Sequence, residues 1–361
     1  MELGRLWLTD FRNFASAEVA FPAGLTVVSG DNGEGKTSLL EAVGWLATLE
    51  SFRGAPPDAL IRVGASSAVV RAEGERDGRQ LLLEGQLSLA GRTRVQVNRQ
   101  PLKRARDLLG ALRVSVFSPD DLTLVKGGPA ERRRYLDDLL VACHPRWDQV
   151  RTDVERVLRQ RATLLKQAGG RLTPEVGLTL DVWDAKLAEA GTTLAEARAE
   201  LLERLTPAVA SAYHQLAGQP TDVTMTLVAG WRPPAGPGLA EALAAARLDD
   251  VRRAVSTVGP HRDDVALGIG GLAARTHGSQ GEQRSLALAL RLGGHAVVSE
   301  SAGSSPVLLL DDVFSELDPG RSEALIANLP PGQALLTTAG PLPPGIEAAA
   351  TIQVKAGAIV A

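Results

Sequence analysis

The segment Gly30–Thr37 reads Gly-Asp-Asn-Gly-Glu-Gly-Lys-Thr, which is a complete G-x-x-x-x-G-K-T phosphate-binding loop. The apolar run Leu25–Ser29 precedes it as a predicted strand, and Thr37–Leu49 follows it as a predicted helix with an apolar face. In this context, backbone N–H groups and the helix N-terminus bind a nucleoside triphosphate. The segment therefore predicts an α/β domain of the P-loop NTPase class.

Positions in and near the loop have distinct expected tasks. Lys36 is expected to contact the β- and γ-phosphates, and the Thr37 hydroxyl to ligate Mg²⁺. Arg12 follows a predicted first strand, Leu3–Leu8, and would contact a phosphate, with Phe11 or Phe14 near the adenine. A surface turn with two core aromatics explains the same residues equally well. The predicted ATP-binding residues are Gly30, Asp31, Asn32, Gly33, Glu34, Gly35, Lys36, Thr37, Ser38 and Arg12.

A second element of a nucleotide site is the predicted strand Val307–Leu310, which is followed by two carboxylates. Asp311 is predicted to bind Mg²⁺ directly or through water, and Asp312 stands where a general base orients the attacking water. Many such ATPases carry Glu at the second position, and because Asp is one methylene shorter we expect slow hydrolysis. The segment Ser315–Asp318 matches the short loop that contacts the opposing nucleotide in ABC dimers. The predicted catalytic residues are Asp312, Asp311 and Lys36.

The segment Ser279–Arg284, Ser-Gln-Gly-Glu-Gln-Arg, is of the type with which ABC ATPases bind a nucleotide held by a different subunit. The Ser279 hydroxyl can donate to a γ-phosphate, and Gly281 allows close approach of the backbone. Taken alone, Ser279 with Glu282 would be read as a capping box at a helix start. Beside the other two motifs we favour the nucleotide contact, which predicts an ATP-dependent homodimer. The predicted in-trans contacts are Ser279, Gln280, Gly281 and Gln283.

The organisation of the chain changes twice along its length. Short alternating runs between residues 68 and 97 predict an antiparallel meander. Helical spacing from Pro129 to Leu216, with breaks at Gly169–Gly170 and Thr173–Pro174, predicts an inserted helical hairpin or small bundle. Trp231–Gly238 is rich in Pro and Gly and predicts a loop or linker. The predicted fold class is α/β, an ABC-type P-loop ATPase head with an antiparallel β subdomain and an inserted α-helical arm domain. The predicted parts are 1–120 and 251–361 for the head and 121–250 for the arm.

The formal net charge of −3 over 361 residues argues against a wholly basic nucleic-acid binder but allows local basic patches. One such stretch predicts contacts to DNA phosphates, and a solvated face interleaved with acids is an even alternative. The chain is 4% aromatic, so stacking on single-stranded bases is not the expected mode. The predicted DNA-binding residues are Arg92, Arg94, Arg99, Lys103, Arg104 and Arg106, and further arginines of the insert are Arg132, Arg133, Arg134, Arg151, Arg156, Arg159 and Arg161.

Other composition features exclude several classes. Cys143 is the single cysteine, which excludes intrachain disulfides and thiolate metal clusters. The five histidines show no metal-ligand spacing. No apolar stretch reaches the ~18 residues of a membrane span, and the N-terminal residues contain no secretory apolar region, so we expect a cytoplasmic protein without a membrane partner.

Along nearly its whole length the chain resembles the RecF family, SMC-like ABC ATPases of bacterial recombinational repair. The strings Gly-Pro-His-Arg-Asp-Asp and Ser-Gln-Gly, in this order, are more specific for that family than the phosphate loop. The segments that carry the resemblance are Thr9–Phe14, Gly30–Thr37, Phe117–Leu122, Lys126–Asp137, Gly259–Asp264, Ser279–Arg284 and Leu309–Asp318.

The resemblance implies an ABC head with a short helical arm, ATP and Mg²⁺ as cofactors, and ATP-dependent dimerisation and DNA binding reset by slow hydrolysis. It also implies partners, RecR with RecO, in loading RecA at gapped DNA. Glu282 departs from the family pattern, which often has Gln, and the strand Ala334–Thr338 lacks the histidine that transporter ATPases carry. A transporter-type ABC subunit and a metabolic P-loop kinase are the rival interpretations, and DNA-stimulated ATP hydrolysis would distinguish all three.

Overall fold

The computed structural model describes residues 1–231, 238–342 and 345–360. Most of the predicted linker, residues 232–237, lies outside these residues. The first elements in chain order are β1 (Glu2–Phe11), β2 (Phe14–Ala20), β3 (Leu25–Ser29), α1 (Lys36–Thr48), β4 (Ser67–Arg76), β5 (Arg79–Ser88), β6 (Arg94–Val97), β7 (Gln100–Pro101) and β8 (Val114–Phe117). There follow α2 (Leu122–Lys126), α3 (Pro129–Cys143), α4 (Trp147–Gln167), α5 (Pro174–Ala217), β9 (Val223–Val228), α6 (Leu239–Arg253), β10 (Asp264–Ile269), β11 (Leu272–Ala273) and α7 (Ala274–His277). The last elements are α8 (Gln280–Ala302), β12 (Val307–Asp311), α9 (Pro319–Ala327), β13 (Ala334–Thr338), β14 (Ala350–Lys355) and β15 (Ala358–Val360).

Two compact units make up the chain. The first unit contains Met1–Asp121, Ser211–Pro220 and the residues from Arg284 onwards, and the second contains Leu122–Ala210 and Thr221–Gln283. The predicted division at residues 120 and 250 stays a prediction.

The sheet that carries the predicted nucleotide site is mostly parallel. Its strand order is β15-β14-β3-β13-β12-β8, and only the pairing of β15 with β14 is antiparallel. The predicted strands Val307–Leu310 and Leu25–Ser29 are confirmed as β12 and β3. Because the carboxyl ends of parallel strands meet at one edge, the phosphate loop after β3 and the two carboxylates at the end of β12 lie along the same edge.

The other sheet of the first unit is antiparallel, with the order β2-β1-β4-β5-β6-β7, and it confirms the predicted meander. Helix α1 contributes its buried residues to a core that also holds residues of β1, β4, β12 and β13. A Cβ at Gly85 of β5 would lie 2.6 Å from the ring of Trp45, so glycine is needed for this helix to approach the sheet. Phe11 and Phe14 are fully buried in the same core, which makes them core aromatics instead of adenine contacts.

The second unit contains α2, α3, α4, α6, α7, most of α5, and the small antiparallel sheet β11-β10-β9. The predicted helical hairpin is confirmed, because α4 ends at Gln167 and α5 begins at Pro174, on either side of the Gly169–Gly170 break. Leu165 of α4, Leu180 of α5 and Val251 of α6 form a small core.

Several arginines of the insert are internal and cannot belong to a DNA-facing patch. Arg161 is fully buried and forms ion pairs with Asp184 at 2.8 Å and Asp250 at 2.7 Å. Arg132 is 6% exposed and forms a bidentate pair with Asp264 at 2.8 and 3.0 Å. The acidic partners are distant in sequence, so a run of cations in this segment reflects internal pairing. The more exposed arginines pair with acids as well. Arg151 pairs with Asp138 and Asp148, Arg156 with Asp153, and Arg159 with Glu155.

Candidate nucleotide-binding site

The phosphate loop is supported by the turn between β1 and β2. Asn13 donates from Nδ2 to the backbone oxygen of Glu34 at 2.8 Å. Gly35 caps the N-terminus of α1 with φ 119°, and a Cβ there would lie 2.6 Å from Asn13 Nδ2. The sequence assigns no separate task to Asn13. It lies in the two-residue turn between β1 and β2, and the pairing of these strands brings its side chain to a loop 21 positions away.

The C-terminal hairpin supports the same loop from another direction. The backbone N–H of Gly357 donates to the Glu34 backbone oxygen at 3.0 Å, and the N–H of Ala356 donates to the Glu34 side chain. Glu34 is therefore fixed by three groups and shapes the loop, whereas Asp31, Asn32 and Gly33 at the loop tip are exposed.

Lys36 is the first residue of α1 and is 7% exposed. Its Nζ donates to the backbone oxygens of Gly30 at 2.7 Å and Asp31 at 2.8 Å, and so closes the loop on itself. Phosphate oxygens would compete with these carbonyls for the same ammonium, because an anion is the stronger acceptor. Ser38 follows in the first turn and is half-buried.

Arg12 occupies a different position from the one expected of a free phosphate ligand. Its guanidinium forms a bidentate pair with the fully buried Glu41, with both nitrogen–oxygen distances at 2.7 Å, and also donates to the Ala59 backbone oxygen at 2.9 Å. Ser51 donates a third hydrogen bond to Glu41 at 2.5 Å. These contacts use three of the five N–H donors of Arg12, so a phosphate contact would be made with the two that remain or by opening the pair.

The two predicted magnesium ligands are in direct contact. The Thr37 hydroxyl donates to Asp311 Oδ1 at 2.8 Å, although 274 positions separate them. A hydroxyl that donates its proton keeps lone pairs for a metal, and Mg²⁺ favours one or two protein oxygens combined with phosphate oxygens and water. The pair therefore fits Mg²⁺ held together with a nucleotide. Among the described residues there is no cluster of three or more His, Cys, Asp or Glu side chains able to hold a metal alone.

The charge state of Asp311 depends on opposing effects. Burial raises the pKa of Asp311, while hydrogen bonds from Thr37 and Thr337 and the positive charge of Arg53 lower it. Arg53 lies in the loop after α1 and is exposed. No motif in the sequence pointed to Arg53, since its proximity to Asp311 arises only from the fold.

Asp312 lies immediately after β12 in the left-handed region, at φ 49° and ψ 31°. Asp and Asn adopt this conformation more readily than other residues with side chains. Its backbone N–H donates to Thr337 Oγ1 at 2.9 Å, and its backbone oxygen accepts from the Ser315 hydroxyl at 2.8 Å. These bonds hold the peptide that presents a half-exposed carboxylate beside the magnesium pair.

The loop after Asp312 is anchored to α8. Asp318 caps α9 by accepting from the Arg321 N–H at 3.0 Å, and the two side chains also form an ion pair. Arg321 Nε donates to the hydroxyl of Ser285 on α8 at 3.0 Å. The loop end and one turn of α8 are therefore joined through a single arginine.

The segment at the start of α8 forms the capping box that its sequence also allowed. The Ser279 N–H donates to Glu282 Oε2 at 2.8 Å, and the Glu282 N–H donates to Ser279 Oγ at 3.3 Å. Ser279 and Gln280 are exposed and Gly281 is half-buried, so these residues can be reached from solvent. The Ser279 hydroxyl accepts in the box and retains its own proton to donate.

Gln283 differs from the other three residues predicted to contact the nucleotide of a second subunit. Its side chain is 4% exposed and donates to the backbone oxygens of Ala274 at 2.9 Å and Arg275 at 3.1 Å. The amide thus joins α8 to α7, and the predicted nucleotide contact by Gln283 is not available in this arrangement.

The basic stretch lies on β6, β7 and the following loop, at one edge of the antiparallel sheet. Arg104 pairs with Asp107 at 2.9 Å, and both remain partly exposed. The arginine side chains at this edge are thus accessible to a large anionic ligand. Exposed members of the stretch are Arg92, Arg94, Arg99, Lys103 and Arg104, and Arg106 is half-buried.

Comparison with known proteins gives a consistent result. The family model described as RecF/RecN/SMC N terminal domain matches residues 2–333. A protein of Streptomyces avermitilis named DNA replication and repair protein RecF is 43% identical over 356 residues, covering 94% of this chain and 93% of that protein. A protein of Frankia alni with the same name is 44% identical over 353 residues, with coverage of 94% and 93%.

Among solved structures, one titled as the recombination mediator protein RecF with ATP in the RecFOR pathway superposes with a TM-score of 0.91 at 27% identity. It covers 99% of this chain and 97% of that chain. An SMC head bound to the C-terminal winged-helix domain of ScpA superposes with a TM-score of 0.57 at 15% identity, covering 99% and 96%, which bears on the fold alone. The predicted fold class, an ABC-type ATPase head with an antiparallel β subdomain and an inserted helical arm, is confirmed. Within the described ranges, no helix combines the length and apolar character needed to cross a bilayer.

Proposed function

This chain belongs to the RecF family of the RecF/RecN/SMC proteins, and on that premise we propose that it is an ATP-dependent, DNA-binding recombination mediator. The single observation that carries the proposal is the hydrogen bond of 2.8 Å from Thr37 to Asp311, which supports a site for Mg²⁺ and a nucleotide because both residues are predicted magnesium ligands. The relatives' names, DNA replication and repair protein and recombination mediator protein, support a role in DNA repair over the transporter alternative.

The first step is nucleotide binding in one subunit. Lys36 exchanges the carbonyls of its own loop for the β- and γ-phosphates, and the N–H groups of Gly33–Thr37 at the start of α1 contact the phosphates. Thr37 and Asp311 would hold Mg²⁺, which would supply positive charge to offset that of the transferred phosphoryl group. Asn13 and the C-terminal hairpin preserve the loop shape, so little reorganisation accompanies binding.

The second step is closure of two subunits. Ser279 donates its hydroxyl proton to the γ-phosphate held by Lys36 of a second copy, and Gly281 permits the approach. Gln280 contributes an amide from its exposed position. Because the capping box fixes the backbone around Ser279 before the nucleotide arrives, the hydroxyl is already oriented when the subunits meet.

Hydrolysis is proposed to be slow and to follow closure. Asp312 orients the attacking water and accepts its proton. Its position in the left-handed region favours the short Asp side chain, which does not reach as far toward the water as Glu. We expect weak ATPase activity that DNA stimulates, with hydrolysis resetting the dimer.

DNA is proposed to bind along the basic edge formed by β6, β7 and the loop that follows. Exposed arginines such as Arg92 and Arg99 neutralise backbone phosphates and release counterions, which favours binding without sequence specificity. The proposed partners are RecR, with RecO, in loading RecA at gapped DNA. The proposed location is the cytoplasm.

One experiment tests the proposal directly. A slowly hydrolysed ATP analogue with Mg²⁺ should convert the monomer to a dimer, which gel filtration would detect. Fluorescence anisotropy should then show that the dimer binds a gapped DNA duplex. A Lys36→Met control should remain monomeric and should lose affinity for the nucleotide. A wild-type protein that stays monomeric at saturating nucleotide would contradict the proposal.

A further inference from the structure

Thr337 lies next to the magnesium carboxylate in the parallel sheet. In the register of β12 and β13, Thr337 is the direct partner of Asp311, and its side chain is 2% exposed. Its hydroxyl makes two hydrogen bonds of opposite sense, donating to Asp311 Oδ1 at 2.8 Å and accepting from the Asp312 N–H at 2.9 Å. One buried hydroxyl therefore contacts both carboxylate residues of the predicted catalytic pair.

The two bonds constrain different features. Asp311 Oδ1 accepts from Thr37 and Thr337, both at 2.8 Å, so the carboxylate is held between α1 and β13. Asp312 leaves the strand at φ 49°, where its N–H turns away from the ladder and requires another acceptor. The Thr337 oxygen is that acceptor and fixes the peptide that aims the Asp312 side chain.

We propose that Thr337 is a positioning residue for ATP hydrolysis, which orients the metal-binding carboxylate of Asp311 and fixes the left-handed peptide that presents Asp312. This inference rests on the proposed function, because it assigns no new reaction to the site. Thr337 contacts neither nucleotide nor water in this role. It acts through the two aspartates, as groups behind metal ligands generally do.

A second buried threonine of the same sheet provides a matched comparison. Thr26 on β3 is fully buried, and its Oγ1 has no hydrogen-bond partner within the described structure. Both threonines occupy interior positions of central strands, where the isosteric Val also has high strand propensity. Thr337→Val therefore removes a bonded hydroxyl, and Thr26→Val removes an unbonded one from another buried position of the same sheet.

The test measures binding and hydrolysis separately. The affinity for a fluorescent ATP analogue is measured in EDTA and in Mg²⁺, and the steady-state ATPase rate is measured against Mg²⁺ concentration. For Thr337→Val, we expect the affinity in EDTA to stay within about twofold of wild type, because the phosphate loop is unaltered. The additional affinity conferred by Mg²⁺ and the ATPase rate should fall by about 10- to 100-fold.

Two further variants separate positioning from packing. Thr337→Ser retains the hydroxyl and should keep Mg²⁺-dependent affinity and rate within about threefold of wild type. Thr26→Val should match wild type in both. If Thr337→Val does not fold, Thr337→Cys replaces it, since a thiol of similar size is a poor hydrogen-bond donor and should show the same loss of Mg²⁺-dependent affinity.

The outcomes distinguish two failures. A folded Thr337→Val protein, or its Cys substitute, with wild-type Mg²⁺ dependence and rate would overturn the role of Thr337 alone. An equal loss in Thr337→Ser would also overturn it, because the hydroxyl would then not be the cause. The proposed function, and this inference with it, would be overturned if the nucleotide affinity of the wild-type protein did not depend on Mg²⁺ and the protein did not hydrolyse ATP.

Discussion

Replacing Arg198 by Met should destabilise the second unit strongly, because Arg198 joins two segments characteristic of the family resemblance. Its guanidinium forms a bidentate pair with Asp137, with both distances at 2.8 Å, and contacts Asp263 at 3.1 Å. It also donates to the Pro260 backbone oxygen at 2.8 Å. The segments Lys126–Asp137 and Gly259–Asp264 are therefore fixed to α5 by one side chain.

The expected magnitude follows from burial. The side chains of Arg198, Asp137 and Asp263 are 3%, 12% and 0% exposed. Burial raises the pKa of Asp263, and the Arg198 charge opposes that rise. Removing the cation leaves two buried carboxylates without their ion-pair partner, and the nearby charge of Arg133 replaces it only in part. Breaking a buried pair in this way typically costs about 3–5 kcal/mol. Met retains most of the apolar stem, so lost packing contributes little.

Urea unfolding followed by circular dichroism would measure the effect, with Arg156→Met as the control. Arg156 also pairs with an aspartate of the second unit, Asp153, but its side chain is 63% exposed. Exposed pairs of this kind contribute about 0–1 kcal/mol. We expect the free energy of unfolding to fall several times more in Arg198→Met than in Arg156→Met.

Equal losses in the two variants would refute this reasoning. They would mean that the Arg198 network contributes no more than a surface ion pair. The segment Gly259–Asp264 would then need an explanation other than structural support.

Further predictions concern pH, hydrolysis and DNA. Burial lowers the pKa of His295 to about 4, so the neutral ring stabilises the fold fully above the unfolded pKa near 6.5, and this stability is lost as pH falls toward 4. In urea unfolding, the wild-type free energy of unfolding should fall by about 2 kcal/mol between pH 7 and pH 5 because of His295. His295→Gln should lack that part of the pH dependence. Asp312→Asn should keep ATP-induced dimerisation in gel filtration but hydrolyse ATP at least ~10-fold more slowly, whereas Asp311→Asn should weaken Mg²⁺-dependent nucleotide binding; wild-type hydrolysis in both would mean that the carboxylate roles are wrong. Arg104→Glu combined with Arg106→Glu should weaken DNA binding and flatten its salt dependence while ATP affinity persists, and unchanged anisotropy across a salt titration would assign the stretch to a solvated face.

The sequence was sufficient for features encoded by contiguous residues. The loop before α1, the apolar strand before Asp311 and the break between α4 and α5 each depend on local spacing, and each lies where it was predicted. The contact between Thr37 and Asp311 could be anticipated as well, because a parallel sheet brings the ends of its strands to one edge.

Tertiary pairing explains what the sequence could not reveal. Arg132 and Arg161 resemble members of a basic patch until Asp264 and Asp184 are found beside them, and these acids lie 132 and 23 positions away. Asn13 likewise acts at a loop 21 positions away, through a turn whose direction depends on the β1–β2 pairing. Burial and partners of a charged residue follow from the fold, which local composition does not specify.

Gln283 shows a different limit. Its amide matched the expected polar contact by type and spacing, but the backbone oxygens of Ala274 and Arg275 accept its hydrogen bonds. Ser279 fits both interpretations of the motif, because it caps α8 and its hydroxyl is still exposed and able to reach a ligand. A motif can therefore indicate a nucleotide contact while the helix start explains some of its residues.

The most direct test of the central claim, a composite nucleotide site shared by two copies, is the dimerisation and ATPase activity of Ser279→Arg alone and mixed with Lys36→Met. Ser279→Arg alone should bind a fluorescent ATP analogue normally, yet it should neither dimerise with ATP nor hydrolyse it. Lys36→Met alone should be inactive because it lacks the phosphate-binding cation. In a mixed dimer one site carries both defects and the other carries none, so partial ATPase activity should return on mixing. Full ATP-dependent dimerisation and hydrolysis by Ser279→Arg alone would contradict the account and leave Ser279 as a helix cap.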